Sequence, residues 1–438
     1  MVYGALIETS IGPAMPRAAA YDLLQSVLNQ KKLLDDAMDK TPSFSRLSDR
    51  DRGLAALITR TALRHLGEID AVLNTYLDKS LGKRGSGALN VMRVGLTQLL
   101  FLDMAEHAAV STAVDLCTGG SLAPYRKLTN AILRRTQREG KALLASLDAA
   151  ALNTSSWLWQ SWVEAYGEDN ARAIAAQHLS EPPIDITCRD DPAGWAEKLE
   201  ADLMPTGTLR LRQKASIVSL PGFDEGAWWV QDAAAALPAR LLGDISGLDV
   251  IDLCAAPGGK TMELAAAGAR VIAVDRSEKR LLRVQQNLER TNLTAKIVTA
   301  DAETWRPDHL ADAVLLDAPC SATGTARRHP DVLHLKSPAD VVKLANLQAR
   351  LLTAAIDMVR PGGLIVFCTC SLQPEEGVQQ IETLLASEAP VVLDPIKPAE
   401  AGTLTTIVTP EGYLRTLPCH LAEQGGMDGF FAARLRRT

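Results

Sequence analysis

Two short stretches hold the residue types best suited to chemistry. Leu315-Leu316-Asp317-Ala318-Pro319-Cys320 places a carboxylate and a thiol just past an apolar run, and Phe367-Cys368-Thr369-Cys370-Ser371 places another thiol at the end of a second run. A thiolate is a strong nucleophile, and an acid or hydrogen-bond donor nearby can absorb the charge that develops when it adds to carbon. The chain has seven cysteines, an odd number without repeating spacing, so no disulfide framework is expected and a reducing cytoplasm is. Cys368 and Cys370 form the only close pair and have no partner pair elsewhere, so no metal is expected.

Both stretches need strands to carry them. Apolar runs at 248–253, 270–275, 296–300, 312–317 and 364–370 alternate with helical patterns at 261–267, 277–291, 338–359 and 374–387. That alternation predicts a doubly wound, mostly parallel α/β sheet, Rossmann-like, with ligands bound past the carboxyl ends of the strands. Residues 248–275 read strand, Gly-rich turn, helix, strand, acid. This is the pattern of a nucleoside-cofactor site at a helix N-terminus. The turn is not G-x-G-x-x-G, which disfavours a dinucleotide, and a P-loop would need glycine where Cys254 stands. Asp275, ending the second strand, can accept from both ribose hydroxyls, and Asp301, ending the third, can receive an adenine amine. Amides of residues 255–260 would hold a carboxylate. The cofactor that fits is S-adenosylmethionine. Carbon 5 of cytosine is a poor nucleophile, so its methylation needs a thiolate on carbon 6 and an acid near the base nitrogen. Asp317-Ala-Pro-Cys320 and Thr369-Cys370 supply both, whereas an adenine methylase would need an Asn or Asp-Pro-Pro-aromatic loop.

Asp252-Leu-Cys-Ala-Ala-Pro-Gly-Gly-Lys-Thr261, Val274-Asp275, Asp301, Leu316-Asp317-Ala-Pro-Cys320-Ser-Ala-Thr-Gly-Thr325, Arg328-His-Pro-Asp331 and Thr369-Cys370-Ser371 closely resemble the bacterial 16S ribosomal RNA cytosine-carbon-5 methyltransferases of the RsmB (Sun/Fmu) family. The resemblance implies cofactor contacts from Cys254, Ala255, Ala256, Pro257, Gly258, Gly259 and Lys260, and from Asp275, Asp301 and Asp317. It makes Cys370 the nucleophile and Cys320 the thiol that assists product release, although DNA cytosine methyltransferases use the Pro-Cys thiol as nucleophile. Asp317, and Lys260 with it, would touch the base edge. Cys254 would offer only backbone, Cys368 is expected on the opposite strand face from Cys370, and His329 is expected to order its loop. Gln231-Asp232 resembles the segment ahead of the family's cofactor loop, with Ala235 where serine is frequent. The substrate implied is small-subunit (16S) ribosomal RNA. Transfer RNA is the alternative within enzymes, and a non-catalytic RNA-binding, antitermination-type protein the alternative outside them.

The front of the chain is helical in period. Ala20, Leu23, Leu24, Val27 and Leu28 share one face, and a helix capped by Ser48 is expected to bury Leu54, Leu57, Ile58, Ala62 and Leu63. Arg17, Leu47-Ser-Asp-Arg-Asp-Arg, Met92-Arg-Val-Gly-Leu-Thr-Gln-Leu-Leu-Phe and Leu128-Thr-Asn-Ala-Ile-Leu-Arg-Arg resemble the antitermination factor NusB, an all-helical RNA-binding family. Residues 17–140 hold 18 basic against 13 acidic side chains in a chain of net charge −6. A basic module on an acidic protein suits nucleic acid, with Arg17, Arg134 and Arg135 as candidate phosphate contacts. The aromatic run Trp157, Trp159, Trp162 and Tyr166 reads as core. The expected organisation is a NusB-like bundle over 1–145, a small α/β subdomain over 146–245 and a methyltransferase domain over 246–438. No apolar run approaches the roughly 18–20 residues that span a bilayer. Met1–Pro16 lacks the basic start and apolar core of a secretory signal, and the chain is expected to work as a monomer.

Overall fold

A computed structural model of the chain describes residues 15–213 and 216–438. All but two residues of the stretch read for a signal, Met1–Pro16, lie outside the described residues. The chain divides into two compact units: Met1–Val163 with Ala326–Lys336, and Glu164–Thr325 with Ser337–Thr438.

The first unit is helical. Its main helices are Met15–Leu24, Asp49–Arg64, Leu66–Tyr76, Ser86–Leu100, Glu106–Asp115 and Arg126–Leu144. Ser48 caps the second of these by accepting from the Asp51 amide at 3.3 Å, and Asp49 and Asp51 complement the helix dipole in its first turn. Ala20, Leu23, Leu24 and Val27 pack with Ile58, Ala62 and Leu63 in one core cluster. Leu57, expected inside, is 38% exposed. It lies about 100° round the helix from Ile58, off the edge of the buried stripe. The Arg126–Leu144 helix buries Thr129, Ile132, Leu133 and Thr136 and turns Arg126, Lys127, Arg134, Arg138 and Lys141 to solvent.

Residues 326–336 come from the later half of the sequence yet belong to this helical unit. Arg64 donates to the Arg327 carbonyl at 2.7 Å, the Leu34 amide donates to Asp331 Oδ2 at 2.9 Å, and His334 Nε2 donates to the Leu63 carbonyl at 2.7 Å. Burial holds the His334 imidazole below its ordinary pKa, so it makes that bond as the neutral ring. Residues 326–336, which include the Arg-His-Pro-Asp segment, are thereby tied to the helices at three points, and His329 sits 3.6 Å from Asp35.

The second unit carries two sheets. Strands β1 (Asp185–Cys188), β2 (Ala201–Leu203), β3 (Leu209–Leu211) and β4 (Trp228–Val230) form a small antiparallel sheet in the order β2-β3-β1-β4. The large sheet comprises β5 (Asp249–Leu253), β6 (Arg270–Asp275), β7 (Lys296–Thr299), β8 (Ala311–Asp317), β9 (Val359–Thr369), β10 (Val391–Leu393), β11 (Leu414–Thr416) and β12 (Phe430–Arg437). Its order is β10-β12-β9-β8-β5-β6-β7, with β11 also pairing β12. Strands β5 to β9 pair in parallel, while β12 runs antiparallel to β9 and β10. The five expected strands are present, and β10, β11 and β12 were not anticipated. The strand order reverses beside β5, where β6 lies on one side and β8 on the other. That switch point is where such sheets open a ligand crevice. Among the described residues no helix is long and apolar enough to cross a membrane.

Candidate active site

The Gly-rich loop expected to hold the cofactor begins where β5 ends. Cys254 takes a left-handed backbone, φ 61°, and Gly258 takes φ 106°, which turns the chain sharply into the helix Gly259–Ala266. A side chain at Gly258 would also meet Val284 at 3.2 Å, so glycine is required there for both reasons. Asp275, at the end of β6, accepts from the Ala256 amide at 3.3 Å and the Ser277 amide at 2.9 Å, and Arg280 lies 3.4 Å from its Oδ2. Arg280 donates as well to the Ala256 carbonyl. Past these strand ends lies a pocket of about 540 Å³ lined by Cys254, Val274, Asp275, Asp301, Pro319 and Leu351, among others. Carboxylates at the ends of β6 and β7 and apolar walls from Val274 and Leu351 fit a ribose and an adenine. Burial, then Asp275, pushes the Cys254 thiol up, so it stays protonated and unreactive.

A second cluster lies at the ends of β8 and β9. Lys260 Nζ donates to Asp317 Oδ2 at 2.8 Å and stands 4.9 Å from the centre of the Phe430 ring. Burial alone would lower the pKa of this ammonium; the Asp317 carboxylate and its other acidic neighbours together outweigh burial and raise the pKa, so the charge is kept. Cys320 and Cys370 come together with their sulfurs 3.4 Å apart. The bond to Cys370, then burial, holds the Cys320 thiol well above its ordinary pKa. Cys370 follows the last residue of β9, and Cys368 is buried with its thiol 3.6 Å from Asp317 Oδ1. The expectation that Cys368 faces away from Cys370 is corrected here: both pack in one cluster. Side chains alternate along a strand with period two, so residues two apart share a face.

Beneath the thiols lies Glu376, which sequence reasoning missed. It is fully buried in the single turn Pro374–Glu376, which precedes the helix Val378–Leu385 and occupies the start of the helix expected over 374–387. Its carboxylate accepts from the Ser321 amide at 2.8 Å, the Ser321 hydroxyl, the Ser371 hydroxyl at 2.6 Å and Gln348 Nε2 at 3.1 Å. Burial raises its pKa against the pull of these donors. No local signal separates it from the neighbouring Glu375, which is exposed. Among the described residues no group of three or more His, Cys, Asp or Glu is placed to hold a metal.

Residues 241–436 match the model of the RsmB/F family of 16S rRNA methyltransferases, and residues 14–138 match the NusB family. The ribosomal RNA small subunit methyltransferase B of Pseudomonas putida is 35% identical over 96% of this chain and 98% of its own length. The chain belongs to the RsmB/F methyltransferase family. The enzyme of the same description from Escherichia fergusonii is 34% identical over 96% of this chain and 98% of its own. The solved structure of PH0851 superposes with a TM-score of 0.73 at 22% identity, covering 98% of this chain and 99% of that one, a likeness of fold. As a family member the chain is an S-adenosylmethionine-dependent methyltransferase of ribosomal RNA, a Rossmann-like catalytic domain following a NusB domain.

Within this RsmB/F chain the three candidate phosphate contacts separate. Arg134 is exposed, and Arg135 pairs with Glu139 at 2.9 Å and lies over the Tyr76 ring at 4.4 Å. Arg17 is withdrawn: it is 8% exposed, its Nε donates to Gln98 at 2.9 Å, and burial lowers its pKa. A guanidinium so placed joins helices and is not presented to phosphate. Of the aromatic run, Trp162 is fully buried and Tyr166 donates to the Leu372 carbonyl two residues past Cys370. Gln231 donates to Glu263 at 2.6 Å, and Asp232 accepts the Asp428 amide at 2.9 Å, so this pair anchors the approach to the cofactor helix.

Asp252 supports the cofactor loop from behind. It is fully buried, its Oδ2 accepts from Thr261 at 2.5 Å, and its Oδ1 has no hydrogen-bond partner among the described residues. Burial raises its pKa from 3.8 to about 7. The folded chain therefore binds this proton more tightly than the unfolded chain does. Its contribution to stability is complete below the ordinary value and is lost as pH rises through about 7. Asp252→Asn should remove that loss: in urea unfolding the stability of the variant relative to the parent should rise by about 2–4 kcal/mol from pH 5 to pH 8. An unchanged pH slope would contradict this account.

Proposed function

We propose that this enzyme methylates carbon 5 of one cytidine in small-subunit 16S ribosomal RNA through a covalent adduct between Cys370 and carbon 6. The observation that carries this reading is the pair of sulfurs, 3.4 Å apart, beside the Lys260–Asp317 pair at the mouth of the sheet. The target base must leave its stack to reach Cys370. The Cys370 thiolate bonds to carbon 6, and the double-bond electrons move toward carbon 5. Asp317 faces the base edge as an acceptor, and the Lys260 ammonium paired with it meets the negative charge that develops there. When bound, S-adenosylmethionine supplies an electrophilic methyl group, and the residues proposed to hold it are 254–260, Asp275 and Asp301. After transfer the carbon-5 proton passes to a water, the electrons of that carbon–hydrogen bond restore the double bond between carbons 5 and 6, and the carbon–sulfur bond breaks with its electron pair returning to Cys370; Cys320 assists this release. The division of roles follows the resemblance, which makes the Thr369-Cys370 thiol the nucleophile and the Pro319-Cys320 thiol its partner.

The NusB unit is proposed to hold the RNA backbone through the exposed basic face of Arg126, Lys127, Arg134, Arg138 and Lys141, with Arg135 at its margin. The site of action on this reading is the cytoplasm. Bisulfite sequencing of ribosomal and transfer RNA from a strain lacking the gene tests the substrate. One methylated cytidine should vanish from 16S ribosomal RNA. Loss from a transfer RNA instead would replace this reading with the transfer-RNA one.

A further inference from the structure

The two thiols meet although nothing strong joins them. A contact between sulfurs is a weak hydrogen bond, and the residues lie fifty positions apart on separate loops. The ladder between β8 and β9 ends at Asp317 and Cys368. Beyond it each cysteine is followed by a fully buried serine, Ser321 after Cys320 and Ser371 after Cys370. Both hydroxyls donate to the same oxygen of Glu376 and lie 3.1 Å from each other. Gln348 closes the arrangement by donating to Glu376 and to the Pro319 carbonyl at 2.9 Å. On the other side Arg415 donates to the Ser371 carbonyl at 2.7 Å.

We infer that Glu376 is a positioning residue for methyl transfer, one buried carboxylate that sets the spacing of Cys320 and Cys370 by tying together the serines that follow them. Charge-assisted bonds to a carboxylate are about twice as strong as neutral ones, so the loops are held where the sulfur contact alone would let them drift. Displacing a reacting group by about 1 Å can cost a hundredfold in rate, so the clamp acts on turnover more than on binding. The inference rests on the proposed roles of the two thiols, and the test reads their spacing separately from methylation.

Alanine at 376 would remove the shared acceptor of four buried donors, so the informative variant is Glu376→Gln, with Ser371→Ala removing one arm. Phenylarsine oxide serves as the probe of spacing, because it bridges two thiols only when both reach one arsenic atom; Cys320→Ala of the full chain defines binding without the pair. Glu376→Gln should keep its melting temperature within a few degrees and its affinity for S-adenosylhomocysteine within about twofold. It should lose at least about tenfold in arsenical affinity and about ten- to a hundredfold in kcat, with KM for RNA little changed. Ser371→Ala should move both readouts the same way by less. Arsenical affinity equal to the parent's, a parent that does not bind the probe through the pair, or activity lost in step with folding and cofactor affinity would each overturn the inference. If spacing is lost in the variant but even the parent yields no 5-methylcytidine, the clamp stands and the cytosine reading falls.

Discussion

Cys370→Ala should abolish methyl transfer, and Cys320→Ala should leave protein and RNA joined in an adduct that survives denaturation. On the proposed mechanism the first removes the atom that bonds to carbon 6, without which carbon 5 is too poor a nucleophile to attack a methyl group. A loss of at least about a thousandfold, some 4 kcal/mol of barrier, is expected. The second leaves that bond free to form and slows its breakage. Geometry alone does not separate the two sulfurs, since at 3.4 Å either could reach a base presented to the other. The proposed division follows the resemblance, which makes the thiol of Thr369-Cys370 the nucleophile. Tritium transfer to 16S ribosomal RNA, with denaturing gels for the adduct, reads both variants. An adduct accumulating in Cys370→Ala in place of Cys320→Ala would reverse the assignment. Cofactor affinity should survive both changes, because neither sulfur lines the pocket bounded by Asp275 and Asp301.

The largest loss of stability should come from Asp185→Ala. Asp185 and Arg210 face each other across β1 and β3, fully and almost fully buried, with both guanidinium–carboxylate contacts at 2.7 Å. Asp185 also accepts the Ala233 amide at 3.1 Å, while Arg210 donates to the Gln424 carbonyl at 2.8 Å. Removing the acid strands a buried guanidinium and should cost about 3–5 kcal/mol. Replacing both partners by apolar residues, Asp185→Leu with Arg210→Met, should recover much of the loss, because no charge is then left without a partner. Urea unfolding of the parent and the two variants measures this. A loss below about 1 kcal/mol in Asp185→Ala would show that the pair does not hold the small sheet to the segment leading into Gln231 and Asp232.

The βαβ unit of residues 248–275 was legible because its information is local. Apolar runs of strand length, a glycine-rich turn and an acid after the second run dictate their own geometry, and the turn sits at Cys254 and Gly258. Helices of the front unit were legible for the same reason, though Leu57 shows that a stripe read from periodicity has uncertain edges. The strand β12 was not legible. It alternates between two core clusters, Phe431, Ala433 and Leu435 in one and Phe430 and Ala432 in the other, so both faces are buried and no polar alternation marks it. Its pairing with β9 joins segments more than sixty residues apart.

By itself, then, the sequence determined the fold class and the geometry of the Gly-rich turn proposed to hold the methyl donor, because residue type and short spacing encode local backbone geometry. Only the tertiary structure decided which groups meet. It buried Arg17 against Gln98, turned Cys368 toward Asp317, folded residues 326–336 into the helical unit and brought Ser321 and Ser371 onto Glu376. Each of these joins residues tens to hundreds of positions apart, with the exception of Ser371 and Glu376. Long-range packing sets such meetings, and no local pattern records them.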